Sequence, residues 1–405
     1  MSFIVPSYWT ENQHADALRK YLLDETKICE IVEFNSLPVF TTASGRSINV
    51  DTMTFRAIRA GNKSTDFEIS VYKPDEKIKK EKLKSAESFL TAVRSSWGQD
   101  AKIKVRQSYL GSGKWTFSDK NIVLSRLKKD GTVILPLGDI SEKEILAFPS
   151  EFTVNKPGGM HGICLIGQGQ ETGLSEVFTL EEETIERLGL EADLLKPVVK
   201  NSHINRWTVS KSNKKVIMTQ DFHDIDNYPN IKAYLSGFRD LLEKRQRVEK
   251  GVRKWYSVSI PQNYEIFKEN PKILVPYRSA ESRFALDEYG YFNDGGDVRA
   301  IVIKPEWRDR ITYYYLLALL NSSLIYKWYS LSGKRKGGVF EYFTRPLSRI
   351  PVKLPEKDKM KKINENVKLL IKLSSTEKSL QDKKSIKKLE SENDAIFSDM
   401  YGVRI

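Results

Sequence analysis

Cysteine and histidine are both scarce in this sequence. The 405 residues include only two cysteines, Cys29 and Cys164, and four histidines. Two distant cysteines do not form a disulfide scaffold, and such a low content is typical of proteins that fold in the reducing cytosol. Neither residue type has the spacing of zinc ligands, so the sequence predicts no metal site. We therefore expect a cytoplasmic protein.

Long hydrophobic runs are also missing. No apolar stretch approaches the ~20 residues that are needed to span a bilayer. The first residues, MSFIVPSYW, lack the basic region and the small-residue cleavage site of a signal peptide. Phe3–Val5 predicts a buried strand almost at residue one, whereas free termini are usually ragged. We expect an upstream domain to be missing or supplied by another chain, and we expect no membrane partner.

Common enzyme signatures are not found either. Gly111-Ser112-Gly113-Lys114 has part of a phosphate-binding loop, but Ser108 stands where that loop requires its first glycine. The glycines of residues 167–173 miss the dinucleotide-binding spacing. Asp75-Glu76-Lys77 fits a metal-dependent nuclease, although so short a motif also arises by chance in a lysine-rich chain. A nuclease therefore stays open as an alternative.

What the sequence has in excess is positive charge. Lys and Arg number 66 against 53 Asp and Glu, which gives a formal net charge of +13. A hydrophobic content of 40% and a charged content of 29% are those of a globular protein, and the length suits two or three domains. A basic excess favours a polyanionic partner such as nucleic acid, although it does not determine the fold.

Periodicity and composition divide the chain into four parts. Residues 1–75 alternate strands and helices, which fits the end of a three-layer α/β domain, and lysine-rich residues 76–104 predict a helical linker. Short strands separated by Gly, Asn, Asp and Pro predict a mixed α+β domain over 105–355, with one helix at Ile231–Val248. Residues 356–405 predict an exposed pair of amphipathic helices.

The most distinctive stretch runs from Arg310 to Pro351. Its first part, through Leu320, has no glycine or proline and predicts a buried helix. Asn321-Ser322-Ser323 then supplies side-chain oxygens suited to cap a second helix, Ser322–Tyr329, so that the chain turns sharply.

A cationic loop is predicted after this helix pair. Residues 332–338, SGKRKGG, place Lys334, Arg335 and Lys336 between glycines, which predicts a mobile loop. Val339–Phe343 follows as a short aromatic strand. The loop either grips a polyanion or is an ordinary solvated surface.

Two further stretches combine basic and aromatic residues. KNSHINRW contributes His203, Asn205 and Arg206, and PYRS contributes Arg278. Asn, Arg and Lys can read base edges bidentately, while other basic side chains bind phosphates. Each stretch alone fits an ordinary polar loop, but three such stretches on one basic chain favour DNA as the partner.

These stretches lie among further short motifs in a defined order. The motifs are Gly162-Ile163, Thr172-Gly173, Val177-Phe178, Leu195-Lys196-Pro197, Ile204-Asn205-Arg206-Trp207, Lys272–Pro276, Phe284–Asp287, Leu316–Ser322, Ile350-Pro351 and Ala395–Gly402. In this order they resemble the TaqI-like C-terminal specificity domain of adenine-specific DNA methyltransferases of restriction-modification type. The resemblance covers most of residues 105–402.

The first hundred residues are similar to the trailing part of the catalytic domain of the same enzymes, through Phe3–Trp9, Leu18-Arg19 and Val39-Phe40. The resemblance implies a partial Rossmann-like remnant, followed by a mixed α+β target-recognition domain and a C-terminal helical tail. The catalytic Asn-Pro-Pro-aromatic motif and the glycine-rich S-adenosylmethionine site of the family are absent from this sequence. No catalytic or cofactor-binding residue therefore carries over, and S-adenosylmethionine is expected only for the complete enzyme.

Phe40 matches the family position where an aromatic ring stacks on the flipped adenine. Such enzymes extrude the base to reach its exocyclic nitrogen, and stacking offsets part of the unstacking cost. The alternative is that Phe40 is a core residue.

We therefore expect the target-recognition part of an adenine-N6 DNA methyltransferase of a restriction-modification or phage-defence system, which binds double-stranded DNA and is inactive alone. It would be a truncated product or the partner of a separately encoded catalytic half. The alternative is a free-standing DNA-acting enzyme such as a nuclease. An Asn-Pro-Pro-aromatic motif encoded just upstream or in a neighbouring gene would favour the first hypothesis.

Overall fold

The computed structural model describes residues 2–11, 13–34, 52–60, 67–72, 102–107, 110, 115, 134–140, 160–336, 338–375 and 379–402. The chain divides into two compact units, the first formed by residues 1–131 with 141–158 and the second by residues 132–140 with 159–405. Phe40, Asp75-Glu76-Lys77 and most of the linker predicted at 76–104 lie outside the described residues. The division into four parts stays a prediction.

The first unit is built on a mainly antiparallel sheet. Its elements are β1 (Ser2–Pro6), α1 (Tyr8–Glu11), α2 (Asp16–Glu25), β2 (Thr26–Glu33), β3 (Thr52–Arg59), β4 (Glu68–Tyr72) and β5 (Lys102–Arg106). The strand order is β1-β3-β2-β4-β5, in which β2 and β4 are parallel and the other neighbours antiparallel. Parallel pairing dominates a Rossmann-like sheet, so the remnant of such a domain stays a prediction.

The sequence predicted that strand β1 is buried. In the structure it lies at one end of this strand order and is partly exposed. Phe3 and Ile4 are 46% and 50% exposed. The apolar core of the unit instead lies under β2, β3 and β4, where Ile31, Met53 and Val71 are buried together with Trp115. The strand prediction was correct and the burial prediction wrong, because a short apolar run does not tell an edge strand from a central one.

The second unit is a mixed α+β structure, as predicted. Its strands are β6 (Ile134–Pro136), β7 (Cys164–Gln168), β8 (Thr179–Glu181), β9 (Leu195–Pro197), β10 (Lys214–Ile217), β11 (Lys272–Pro276), β12 (Arg278–Ser279), β13 (Ala285–Asp287), β14 (Val298–Ile303), β15 (Lys334–Lys336), β16 (Val339–Glu341) and β17 (Pro351–Lys353). Its helices are α3 (Ser175–Phe178), α4 (Glu182–Leu188), α5 (Pro229–Ser236), α6 (Arg239–Glu243), α7 (Gln246–Glu249), α8 (Tyr264–Lys268), α9 (Tyr313–Asn321), α10 (Ser323–Ser332), α11 (Thr344–Ser348), α12 (Lys357–Ser374) and α13 (Leu380–Tyr401).

The strands of this unit form small open sheets rather than one large one. Their orders are β8-β10-β9, β13-β11-β14-β7, β12-β16-β15 and β17-β6. Strands β11 and β14 are buried along their whole length, and they join an apolar core that includes Phe178, Val216 and Leu274. Small sheets packed around helices leave many loop ends at the surface, and loops are where binding residues are most often found.

The single helix predicted at Ile231–Val248 is wrong, because the chain forms α5, α6 and α7 there. The last break falls at Arg245, whose backbone is extended. Its guanidinium donates to the carbonyl oxygens of Leu242, Thr172 and Trp255 at 3.0, 3.0 and 2.6 Å. Burial lowers the pKa of Arg245 to about 10. A buried arginine needs such partners, and a straight helix does not supply them all.

The sequence predicted that residues 356–405 form an exposed tail. In the structure, helices α12 and α13 of this segment pack on the second unit. They bury Ile363, Val367 and Phe397 within the second unit. The Tyr401 hydroxyl accepts from Lys353 N at 2.8 Å and donates to Pro351 O at 3.1 Å. The amphipathic spacing was therefore correct, but the apolar face packs on the same unit. Among the described residues, no helix has the length and apolar character of a membrane span.

Candidate nucleic-acid interface

The helix pair predicted at Arg310–Pro351 is confirmed. Helix α9 is buried from Tyr315 to Asn321. Ser322 caps α10, because its hydroxyl accepts from Ile325 N at 3.2 Å. The Asn321 side chain also accepts from Phe284 N and donates to Phe284 O, at 3.0 and 2.9 Å. The turn between the helices is thus a rigid support tied to the segment that precedes β13.

The prediction of a mobile cationic loop after this helix pair is wrong. Lys334–Lys336 forms strand β15, which pairs antiparallel with β16, so that Arg335 lies opposite Phe340. Gly333 permits close packing, because a Cβ atom there would lie 2.3 Å from the Tyr329 ring. Glycine in the sequence indicated mobility, whereas here it lets a helix turn directly into a strand. We call β15 and β16 the cationic hairpin.

A buried carboxylate organises the cations around this hairpin. Glu341 Oε1 accepts from Arg278 Nε at 2.9 Å and from Arg278 Nη2 at 2.7 Å, and Glu341 Oε2 lies 3.3 Å from Lys334 Nζ. Burial disfavours the ionised form of Glu341, but hydrogen bonds from Arg278 and Lys334 outweigh it and hold the pKa of Glu341 below its ordinary value. Lys334 also lies 4.4 Å from the centre of the Phe343 ring. One buried negative charge therefore faces two cations that are partly exposed.

Arg278 connects the three basic stretches. Asn201 and Arg278 exchange hydrogen bonds, from Asn201 Nδ2 to Arg278 O at 3.2 Å and from Arg278 N to Asn201 Oδ1 at 3.1 Å. The Arg283 guanidinium donates to Ile204 O and, at 3.4 Å, to Arg278 O. The stretches at 200, 278 and 334 thus meet in one cluster. We call Asn201, Arg278, Arg283, Lys334 and Glu341 the Arg278 junction.

Arg206 and Trp207 are held firmly within the first stretch. The Arg206 guanidinium donates from Nη2 to Asn321 O at 2.7 Å and from Nη1 to Ser282 O at 3.3 Å. Glu390 Oε1 accepts from Arg206 Nε at 2.6 Å and from Trp207 Nε1 at 3.0 Å. Trp207 has a φ of 80°, in the left-handed region that non-glycine residues rarely adopt. Its backbone N–H donates to Phe284 O at 3.0 Å.

His203 and Asn205 lie at the surface beside Arg206. His203 Nδ1 accepts from Lys200 N at 3.3 Å, which holds the ring against the backbone of Lys200. The exposed Asn205 side chain donates to Ser210 Oγ at 2.7 Å. Asn205 Nδ2 also donates to His203 O at 3.4 Å, so Asn205 keeps its amide oxygen for a partner. The DNA-binding roles of His203, Asn205, Arg206, Arg278, Lys334, Arg335 and Lys336 stay predictions.

A groove of about 770 Å³ borders this segment. It is lined by the stretch from Asn205 to Lys211, by Arg283 and Tyr289, and by residues near the end of α12. Lys211 and Tyr289 are exposed, and neither was singled out from the sequence. A basic side chain and an aromatic ring that line the same groove suit contact with phosphates and bases.

The sequence also missed the residues that hold the basic stretches in place. Glu341 and Glu390 are carboxylates outside any motif, and Arg283 was not among the predicted contacts. The one signal that pointed to Glu341 is its position among the aromatic residues of a predicted strand. A buried acidic residue there needs a cationic partner to offset the loss of hydration. Nothing local marks Glu390, which lies 184 residues from Arg206.

Metal and cofactor sites need clusters of suitable ligands. The described part of the chain holds no group of three or more His, Cys, Asp or Glu that suits a metal ion. S-adenosylmethionine is the cofactor that the family implies, and the residues present do not fit it, because the sequence contains no Asn-Pro-Pro. The arrangement at the three basic stretches is therefore one of rigid hydrogen-bond donors.

Comparison with known proteins agrees with this arrangement. A family model for the TaqI-like C-terminal specificity domain matches residues 199–352. The type II methyltransferase M.HindII of Haemophilus influenzae is 26% identical over 86% of this chain, and the chain covers 63% of that protein. M.MjaIV of Methanocaldococcus jannaschii, another type II methyltransferase, is 30% identical over 58% of this chain and 78% of its own length.

A solved structure shows a similar fold. The Type IIL restriction-modification enzyme MmeI, determined in complex with DNA, aligns over 100% of this chain and 47% of its own with a TM-score of 0.56 and 13% identity. The chain thus spans less than two thirds of M.HindII and about half of MmeI. This chain belongs to the type II methyltransferases of restriction-modification systems, and residues 199–352 form its TaqI-like specificity domain.

Proposed function

We propose that this chain is the target-recognition part of an adenine-specific restriction-modification methyltransferase and that it binds duplex DNA in a sequence-dependent manner. The observation that carries the proposal is the Arg278 junction, where three basic stretches that are far apart in sequence meet. Chains that only need a basic surface do not need their cations fixed. Fixed donors are what base reading requires, because specificity depends on geometry.

The cations of the junction suit two different roles. Glu341 holds the guanidinium of Arg278 and Asn201 holds its backbone, so the remaining guanidinium donors have a defined direction that suits a guanine edge. Lys336 is exposed and, in the part of the chain that the structure describes, has no ion-pair partner, which suits a phosphate. Arg206 has five N–H donors, of which three are engaged. It therefore supports the neighbouring Asn205 and keeps two donors for DNA.

Methyl transfer belongs to the complete enzyme in this proposal. S-adenosylmethionine supplies the methyl group there, and Phe40 would stack on the extruded adenine. We propose that a separately encoded catalytic half provides the missing motif. Isothermal calorimetry of this chain with S-adenosylmethionine is expected to give no binding heat, and methyl incorporation into DNA is expected to be absent. Stoichiometric cofactor binding at micromolar affinity would contradict the proposal.

The salt dependence of the affinity tests whether the partner of this chain is duplex DNA. Fluorescence anisotropy of a labelled duplex should show affinity that falls steeply between roughly 50 and 200 mM salt, because bound cations displace counterions from the phosphates. Affinity for duplex DNA that does not change with salt would contradict DNA as the partner.

A matched pair of arginine substitutions tests the location. Arg278→Ala and Arg308→Ala each remove one positive charge, the two side chains are 44% and 45% exposed, and each pairs with a glutamate. We expect Arg278→Ala to weaken binding about tenfold, within the 1–3 kcal/mol range of a bidentate base contact, and Arg308→Ala to leave it nearly unchanged. Equal losses would mean that only the net charge of the chain matters.

A further inference from the structure

Glu390 is the residue that connects the last helix to the specificity domain. It lies on α13, outside residues 199–352 that match the family model. Its Oε1 atom accepts from both Arg206 Nε and Trp207 Nε1, at 2.6 and 3.0 Å. A single carboxylate oxygen therefore holds two consecutive side chains of the first basic stretch.

This contact holds a backbone conformation that does not form easily by itself. Trp207 has a positive φ, which costs free energy for a residue with a Cβ atom and persists where the surroundings determine it. Two of the surrounding contacts are backbone hydrogen bonds, from Trp207 N to Phe284 O at 3.0 Å and from Leu286 N to Trp207 O at 3.3 Å. The Glu390 contact adds a third and acts on the side chain, so it sets the direction of the indole ring and of Arg206.

The conformation of Trp207 decides where the exposed residues next to it point. Asn205 N donates to Thr208 O and Ser210 N donates to His203 O, at 2.9 and 2.8 Å, so the stretch is a narrow hairpin. Its tip carries the Asn205 side chain, and Lys211 follows it at the groove. A change in the direction of Trp207 would tilt this tip relative to the Arg278 junction.

Helix α13 is itself anchored to the support of the hairpin. Asp394, one turn after Glu390, accepts from Ser323 N and from Ser323 Oγ at 2.9 and 2.6 Å. Asp394 therefore fixes the start of α10, and Glu390 fixes the hairpin, from the same face of one helix. Helix α13 therefore sets the distance between the hairpin and the helix pair α9 and α10.

From this geometry we infer that Glu390 is a positioning residue for target recognition: through Arg206 and Trp207, helix α13 sets the orientation of the His203–Ser210 hairpin. The inference rests on the proposed DNA-binding function. It assigns to helix α13 a part in discrimination between DNA sequences. The overall affinity for DNA depends on the cationic side chains instead.

Two variants and one control test this role. Glu390→Ala removes the acceptor, and Glu390→Gln keeps an oxygen acceptor without the charge. Glu392→Ala is the control, because Glu392 lies on the same helix and contacts Lys362 and Asn366 of α12 instead of the hairpin. Hydrogen exchange should quicken in Glu390→Ala at the amides of Asn205, Trp207 and Ser210, stay near wild type in Glu392→Ala and be intermediate in Glu390→Gln.

The functional readout is selection from a pool of duplexes with a randomised centre, with the full chain as bait. Wild type and Glu392→Ala should enrich the same consensus. Glu390→Ala should bind the unselected pool about as well as wild type, while its preference for the consensus over a scrambled duplex falls about tenfold, the loss that corresponds to one bidentate base contact. Glu390→Gln should retain most of the preference. If Glu390→Ala does not fold, Glu390→Asp, whose carboxylate is one methylene shorter, replaces it and should lose the preference that Glu390→Gln retains.

The outcomes separate this inference from the proposed function. Failure of the wild-type chain to enrich any consensus would overturn the proposed function and the inference with it. A wild-type consensus that Glu390→Ala selects equally well would overturn only the inference, and so would unchanged exchange of the hairpin amides. Quicker exchange together with a lost consensus supports it.

Discussion

Two carboxylates of the second unit, Asp287 and Glu341, are nearly equally buried, but their cationic partners differ in exposure to solvent. Asp287 pairs with Lys272 at 2.8 Å, and both side chains are 0% exposed. Glu341 is 4% exposed, but its partners Arg278 and Lys334 are 44% and 57% exposed. The first pair is closed to solvent and to any ligand, whereas the second presents its cations outward from a fixed base. The same chemistry thus supports a core in one place and a binding surface in the other.

The partners of each carboxylate explain the difference. Asp287 also accepts from the backbone N–H groups of Tyr289, Gly290 and Tyr291, at 2.9, 3.1 and 2.9 Å, so its charge is used to hold a turn. Burial lowers the pKa of Lys272, while the Coulombic attraction of Asp287 opposes that shift. The bonds of the Glu341 carboxylate go to side chains instead, namely to Arg278, to Lys334 and, at 3.4 Å, to the Tyr277 hydroxyl. Two cations on one carboxylate leave an excess of one positive charge at the surface.

The largest effect is expected from opening the buried pair. Asp287→Ala leaves Lys272 without its partner in the core and should lower the free energy of unfolding by about 3–5 kcal/mol. Urea denaturation followed by circular dichroism measures it. Glu243→Ala, which breaks the exposed pair with Arg239, is the control and should cost less than about 1 kcal/mol. A similar small cost for Asp287→Ala would mean that the two carboxylates do not differ as described.

A smaller effect on stability is expected at the surface cluster. Glu341→Gln should cost about 1–2 kcal/mol, because Arg278 and Lys334 lose a charged acceptor but can hydrate. Its effect on DNA is of the opposite sign: the surface gains one net positive charge, so binding to unselected duplexes should tighten and the salt slope should steepen by about one. Discrimination between sequences should fall, because Arg278 is no longer fixed. Weaker binding to every duplex would contradict this role of Glu341.

The cost of Glu341→Gln should also depend on pH. The folded-state pKa of Glu341 lies below its unfolded value, so its stabilising contribution is fully present above the unfolded pKa of about 4.3 and is lost as the pH falls through the folded pKa. The difference in unfolding free energy between wild type and Glu341→Gln should therefore be constant near neutral pH and shrink in acid. Parallel urea titrations over this range measure it, and a difference that grows on acidification would show that the sign is wrong.

The smallest effect on stability is expected at the exposed end of the hairpin. Lys336→Ala should change the unfolding free energy by less than about 0.5 kcal/mol, because the side chain is exposed. It should weaken binding to all duplexes alike and make the salt slope shallower by about one, as expected for a lost phosphate contact. Lys268→Ala, an exposed lysine of α8, is the matched control. A loss confined to one DNA sequence would show that Lys336 reads a base.

Local patterns in the sequence predicted several elements of this protein well. Helix α9, the Ser322 cap and the short strand β16 were all predicted close to their observed bounds. Capping, periodicity and the absence of glycine act over a few residues, so they can be read without knowing the fold. The order of the short motifs likewise led to the specificity domain, which the family comparison confirms.

The tertiary structure alone decided which of the basic stretches are rigid and what holds them. Gly333 and Lys334–Lys336 predicted mobility, yet Lys334–Lys336 pairs with β16 and Gly333 packs closely against the Tyr329 ring. The acceptors of Arg278 and Arg206 are 63 and 184 residues away. No local pattern encodes contacts at such separations, since their free energy depends on burial and geometry that exist only after folding. The sequence by itself determined that this protein carries excess cations, and the fold decided which of them have a fixed direction.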